Sequence, residues 1–250
     1  MILIKSAQDL AIMRSAGEIL ADILAKVQRE IKDGITTAQI DRLSVDLMAA
    51  AKVESAFLGY RGYPGNICVS INDQIVHGIP GDRRVLAGDI VSLDMGIKYK
   101  GFFADAAITV GVGKLEPEAK RLIEITRHSL SQGIKQMKIG NKLSDISHAV
   151  QQYVEQQGFS VVRQFVGHGI GRSLHEDPEI PNFGRPKQGP VLKEGMVFAI
   201  EPMVNAGTWE CVILDDGWTA VTADGALSAH WEHTVAITAD GPQILTLLRA

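Results

Sequence analysis

The chain has 250 residues, 46 % of them hydrophobic and 22 % charged, with a formal net charge of −4. That balance suits a soluble globular protein and lacks the basic field that nucleic acid or an anionic membrane would select. No apolar run approaches the ~20 residues needed to span a bilayer. The opening stretch MILIKSAQDLAIMRSAG turns polar and helix-like too soon for a secretory signal. Cys68 and Cys211 have no Cys-x-x-Cys spacing, so both read as free thiols of a reducing, cytoplasmic compartment, without a disulfide framework or zinc finger.

In chain order, Ser6-Ala-Gln-Asp9 has the form of a capping box and opens an amphipathic helix to about Lys32, stopped by Gly34. A second helix is predicted over about 37–51. Strands follow near 65–71, 74–77, 89–98 and 102–110. The order then starts again: Glu116-Pro117 opens a helix to about Met137, Gly140 ends it, and 142–157 forms another. Strands are predicted near 159–166, 196–204, 209–214, 218–222 and 231–238. Gly34 and Gly140 match at an offset of 106, as do Ile40 and Ile146. This weak repeat suggests two similar halves, about 1–112 and 113–250, sharing one sheet layer with helices on one face. No linker separates them, so a single domain over 1–250 is expected. The proline-rich stretch EDPEIPNFGRPKQGP, 176–190, reads as an ordered but irregular loop.

Residues 91–110, VSLDMGIKYKGFFADAAITV, read as a β-hairpin. Folding it about Tyr99-Lys100 sets Asp94 opposite Asp105, a destabilising pair unless a cation lies between them. Other charged residues sit equally awkwardly. Glu201 ends the apolar run MVFAI, Glu232 begins another, and His168 lies between glycines that let a backbone approach closely. Each alone has an ordinary reading, a solvated glutamate or a core histidine. A phosphate loop at Gly167-His-Gly-Ile-Gly is discounted, because it lacks the lysine and the spacing. Together the two Asp, two Glu and one His exceed what one tetrahedral zinc takes and suit two divalent ions about 3.5–4 Å apart. Their oxygen-rich chemistry favours Mn, Fe or Co, with Zn or Ni as alternatives.

The segments Gly59-Tyr-Arg-Gly-Tyr-Pro64, Ser70-Ile-Asn-Asp, His77-Gly-Ile-Pro, Gly88-Asp-Ile-Val, Asp94 to Asp105, Gly167-His-Gly-Ile-Gly-Arg, His175-Glu, Ile200-Glu-Pro-Met and Glu232-His-Thr occur in this order. As a set they identify the chain as similar, over nearly its whole length, to the type-I methionine aminopeptidases in their short form. The resemblance implies an α/β (α+β) pita-bread fold, with two pseudo-symmetric halves around a curved, mainly antiparallel sheet. It implies a two-metal site of Asp94, Asp105, His168, Glu201 and Glu232, with Glu201 also the general base. It implies that His77 and His175 stand in the cleft without binding metal, His77 toward the substrate backbone and His175 toward the oxyanion. Tyr60, Tyr63, Cys68 and Trp218 match positions lining the methionine pocket. Asn72 and Ser228 match positions near a monovalent cation. The implied substrates are N-terminal methionyl peptides with a small second residue, including nascent chains at the ribosome; a monomer that binds neither nucleic acid nor membrane is expected.

The chain departs from the family pattern at Phe57, Arg61 and Leu174, all on the pocket wall. X-Pro aminopeptidases and prolidases carry an extra N-terminal domain for which this chain has no room. The type-II enzymes carry an insert that His175 to Glu201 is too short to hold. A non-catalytic relative would have lost ligands, and all five are here. A two-metal phosphatase would want an arginine pair beside the ligands, and none stands there.

Overall fold

In the computed structural model, which describes residues 1–248, the expected capping box is formed. The Ser6 hydroxyl accepts from the Asp9 N–H, and the Asp9 carboxylate accepts from the Ser6 N–H at 3.0 Å. Helix α1 (Ala7–Glu30) follows and buries Met13, Ala16, Leu20, Ile23, Leu24 and Val27 at helical spacing. Thr36 and Gln39 cap α2 (Thr37–Ala51) in the same way, and Pro117 at the first helical position opens α3 (Pro117–Lys135). Helix α4 spans Leu143–Gln156.

The two helix pairs are held alike. The Gly34 N–H donates to the Val85 carbonyl at 2.8 Å and the Gly140 N–H to the Leu192 carbonyl at 3.0 Å. Both glycines have positive φ, 86° and 92°, which a side chain would strain. Ile40 and Ile146 are both fully buried on the inner faces of α2 and α4.

The central sheet has nine strands. Its path runs from Glu54–Ser55 through Ile90–Tyr99, Phe102–Gly111, Glu232–Thr238, Val197–Ile200 and Gly167–Gly169 to Glu176–Ile180. Cys68–Ile71 also pairs with Ile90–Tyr99, and Gly241–Ile244 with Glu232–Thr238. Every pairing in this sheet is antiparallel. Two three-stranded sheets flank it. One joins Ser160–Val161, Met203–Asn205 and Ser228–His230; the other joins Gln74–Val76, Ala220–Thr222 and Cys211–Ile213. The helices pack on one face. Val91, Leu93, Met95 and Ile97 share a core with α1 and α2, and Phe198, Ile200, Val235 and Ile237 share one with α3 and α4. Strand residues alternate sides, so Asp94 and Asp105 face away from the helices, into the hollow of the sheet.

Three expectations are corrected here. The hairpin pairs two residues out of the predicted register: Tyr99 sits opposite Phe102, Asp94 opposite Ala107, and Asp105 opposite Gly96. The turn is Lys100-Gly101, with φ of 48° and 80°. A two-residue hairpin turn wants positive φ at both central positions and glycine at the second, which the predicted turn about Tyr99-Lys100 could not offer. A shift of two preserves the face, so the aspartates remain diagonal neighbours on one side. The strand predicted over 196–204 is broken at Glu201-Pro202 into Val197–Ile200 and Met203–Asn205, which enter different sheets. Proline has no N–H for the ladder. The stretch 176–190 is not irregular throughout, since Glu176–Ile180 is an edge strand against Gly167–Gly169. Pro178 is tolerated at such an edge.

Candidate metal centre and cleft

The broken strand leaves Glu201 between two sheets, and Trp231 marks the matching break between Ser228–His230 and Glu232–Thr238. Glu201 and Glu232 therefore meet where the sheets diverge. The Asn182 side-chain amide donates to the Glu201 carbonyl at 3.0 Å, fixing that backbone. Thr234 clamps Asp105 twice, accepting from its N–H at 3.0 Å and donating to its carbonyl at 2.8 Å. His168 Nδ1 lies 2.9 Å from the Gly169 carbonyl. With Nδ1–H donating there, the Nε2 lone pair turns toward the carboxylates.

His168 Nε2 stands 3.4 Å from Glu201 Oε1 and 4.0 Å from Asp105 Oδ2. One ligand atom each from Asp105, His168 and Glu232 lie within 4.8 Å of one another, and all three residues are buried. Burial holds His168 down to about 4, so near neutral pH it is uncharged and these contacts are not ion pairs. The cluster is then almost all acceptor. Asp94 Oδ1, Asp105 Oδ1 and Glu232 Oε1 are buried without a hydrogen-bond partner. A native interior rarely leaves such atoms orphaned unless an ion or water satisfies them. Divalent cations fit this donor set, because carboxylate and imidazole ligands suit them and the charges then attract.

The titration behaviour gives a test. Burial pushes Asp105 up to about 7. Asp94, Glu201 and Glu232 lie well above their ordinary range, from burial first and then chiefly from the charge of Asp105. A carboxylate with a raised folded pKa stabilises the fold below its unfolded value and loses that contribution as pH rises through the folded one. Buried histidines act with the opposite sign, but have finished titrating above about 6.5, and Cys68, also pushed up, acts above about 9. In the window from about pH 6.5, where the histidines have finished, up through the Asp105 value of about 7, the carboxylates dominate. The melting temperature of the metal-free protein is therefore expected to fall across that window, and saturating Mn²⁺ to remove the slope and displace protons. Calorimetry in buffers of different ionisation enthalpy measures the displacement; metal uptake with no proton release would contradict it.

Above this floor opens a cavity of about 300 Å³. The other expected site residues gather there: Tyr60, Tyr63, Cys68, His77, His175 and Trp218 all line it. Tyr63 Oη donates to the Gly78 carbonyl at 3.0 Å, and its ring meets Trp218 edge-on at 5.1 Å. His77 has φ of 60° and packs its ring edge-on against Phe165 at 5.2 Å. His175 stacks on Tyr60 at 5.2 Å and lies 4.1 Å from the His168 ring. Burial, helped by neighbouring His168, Arg61 and His77, holds His175 down to about 3. Phe57, Arg61 and Leu174 also line the cavity, so the three departures bear on its shape.

Asn72 and Ser228 lie elsewhere. They meet each other, the Ser228 N–H donating to the Asn72 carbonyl at 2.8 Å. The Asn72 amide is already engaged, with Asp89 at 2.8 Å and the Ile90 N–H at 3.0 Å. Sequence reasoning missed Phe165 and Met203 on the cavity wall, and His230 beside Glu201. His230 is buried with both ring nitrogens unpartnered, its Nε2 3.9 Å from Glu201 Oε2. Its signal was available: a polar side chain two residues before Glu232, at the mouth of an apolar strand.

Residues 11–239 match the metallopeptidase family M24. The chain belongs to that family, a family of divalent-metal peptidases. Full-length relatives within it include methionine aminopeptidases. The enzyme of Clostridium perfringens is 51 % identical over 249 residues, covering all of both chains. The crystal structure of the Thermotoga maritima methionine aminopeptidase superposes with a TM-score of 0.97 at 46 % identity, covering 99 % of this chain and 100 % of that one. The Pyrococcus horikoshii prolidase shares the fold alone, at 22 % identity and a TM-score of 0.81, with 100 % of this chain matching 65 % of that one.

Proposed function

We propose that this chain removes the N-terminal methionine from peptides and nascent chains when the second residue is small. The observation that carries the reading is the set of five acceptor side chains, three of them (Asp94, Asp105 and Glu232) with an orphaned buried oxygen, at the floor of a largely apolar cavity. Asp94, Asp105, His168, Glu201 and Glu232 would hold two divalent ions. Such ions supply a water of lowered pKa and polarise the scissile carbonyl. Glu201 accepts the attacking water's proton and passes it to the departing amine. Neutral His175 donates to the oxyanion as it develops. His77 hydrogen-bonds the substrate backbone, while Tyr60, Tyr63, Cys68 and Trp218 enclose the thioether, which is soft and adaptable enough for such a pocket. The oxygen-rich donor set favours Mn, Fe or Co. On the same reading residues 1–250 form one cytoplasmic domain of two halves, acting as a monomer on chains leaving the ribosome, and a monovalent ion near Asn72 and Ser228 would be structural.

Release of free methionine from Met-Ala-Ser, Met-Lys and Met-Leu peptides tests the selectivity. Cleavage of the first and none of the others is expected; equal turnover of all three would overturn it.

A further inference from the structure

Lys5 precedes α1, and its ammonium lies 2.5 Å from Glu176 Oε2, both side chains being 6 % exposed. Breaking such a buried pair is costly, yet forming it adds little stability over well-packed apolar residues, so what it holds in place matters more than what it stabilises. Glu176 directly follows His175. Its other oxygen accepts from the Arg172 N–H at 2.7 Å and the Ser173 N–H at 3.3 Å, which closes residues 172–176 into a tight loop. The Phe103 N–H anchors the start of that loop by donating to the Gly171 carbonyl at 2.8 Å. A Cβ at Gly171 would stand 2.4 Å from Lys5 Cε and 2.7 Å from Glu176 Oε1, so any larger residue there would push on both ends of the pair. Outside, Arg172 reaches Asp9 of α1 at 3.2 Å. On the inside the loop presents Leu174 and His175 to the cavity.

We propose that the buried Lys5–Glu176 pair is a positioning device for His175, through which the segment before α1 sets the rate of methionine release. The proposal rests on the role given to His175 above. Neither Lys5 nor Glu176 lines the cavity, although the charge of Glu176 is felt at His168; the pair acts on His175 by holding the loop that aims the imidazole. A displacement of about 1 Å at a reacting group can cost roughly 10²-fold in rate, so a fixed loop has a kinetic consequence.

The test compares Lys5→Met in the wild-type chain with Lys5→Met in a His175→Ala chain, both loaded with Mn²⁺ and assayed on Met-Ala-Ser. Metal content and melting temperature are recorded for each. Lys5→Met alone is expected to lower kcat by about tenfold to 10²-fold at wild-type metal content. In the His175→Ala chain it is expected to add no more than about twofold, because the residue it positions is gone. Glu176→Gln keeps the side-chain shape and weakens the Lys5 contact; it carries the same comparison should Lys5→Met not fold. A fall in kcat of equal size in both backgrounds would reduce the pair to a structural role and overturn the proposal. So would an unchanged kcat for Lys5→Met where His175→Ala is slow, and in that case the role of His175 stands. An unchanged kcat for His175→Ala itself would remove both.

Discussion

Asp105→Ala is expected to lose bound metal and methionine release together, down to the level of the chelated protein. Asp105 contributes to the three-residue group of closely spaced ligand atoms, and its Oδ1 is one of the orphaned buried oxygens. The Thr234 clamp holds its backbone and not its carboxylate, so the local chain should keep its course after truncation. The metal-free variant should remain folded: like-charge repulsion between diagonal neighbours on one sheet face is a local cost of at most about 1 kcal/mol, which the substitution relieves. Asp94→Ala should behave alike, because Asp94 shares the face of the hairpin although it is paired with Ala107. Metal analysis beside the assay checks both variants. A variant that keeps its metal but loses activity would move Asp105 from holding metal to the chemistry.

His175→Ala is expected to keep its metal, melt close to the wild type and lose about 10²–10³ in kcat, roughly 2.7–4 kcal/mol. The carboxylates around the site are acceptors when ionised and cannot donate to an oxyanion. His175 is held neutral by burial and by His168, Arg61 and His77, and so keeps one N–H to donate near pH 7. Its ring is packed between Tyr60 and His168, which orients that N–H. Loss of metal in the variant would make His175 a ligand, and an unchanged kcat would make it a packing residue under the Glu176–Ile180 strand.

The helices were legible because capping and periodicity act locally. Ser6 with Asp9 placed the start of α1. The hairpin was legible in kind, and its register slipped because turn geometry at Lys100-Gly101 outweighed the apparent symmetry of the apolar pattern. The strands Glu54–Ser55, Ser228–His230 and Gly241–Ile244 are too short to carry a pattern; tertiary pairing makes them. The five acceptors stood out because ionisable groups in apolar strands are costly unless paired. His77, Tyr60, Tyr63, Cys68, His175 and Trp218 were legible only through family resemblance, since an aromatic or sulfur side chain in a pocket wall looks the same in sequence as one in a core. Phe165 and Met203 were missed for that reason. His230 repeats the signature of Glu232 and was overlooked beside it.

The most direct measurement strips the protein with chelator, adds back Mn²⁺, Fe²⁺ or Co²⁺ in steps without oxygen, and follows bound metal and methionine release from Met-Ala-Ser together. Release that is absent in the stripped protein, returns as metal fills the five-residue cluster and does not return in Asp105→Ala is the expected result. Full release by wild-type protein shown to contain no metal would contradict the account.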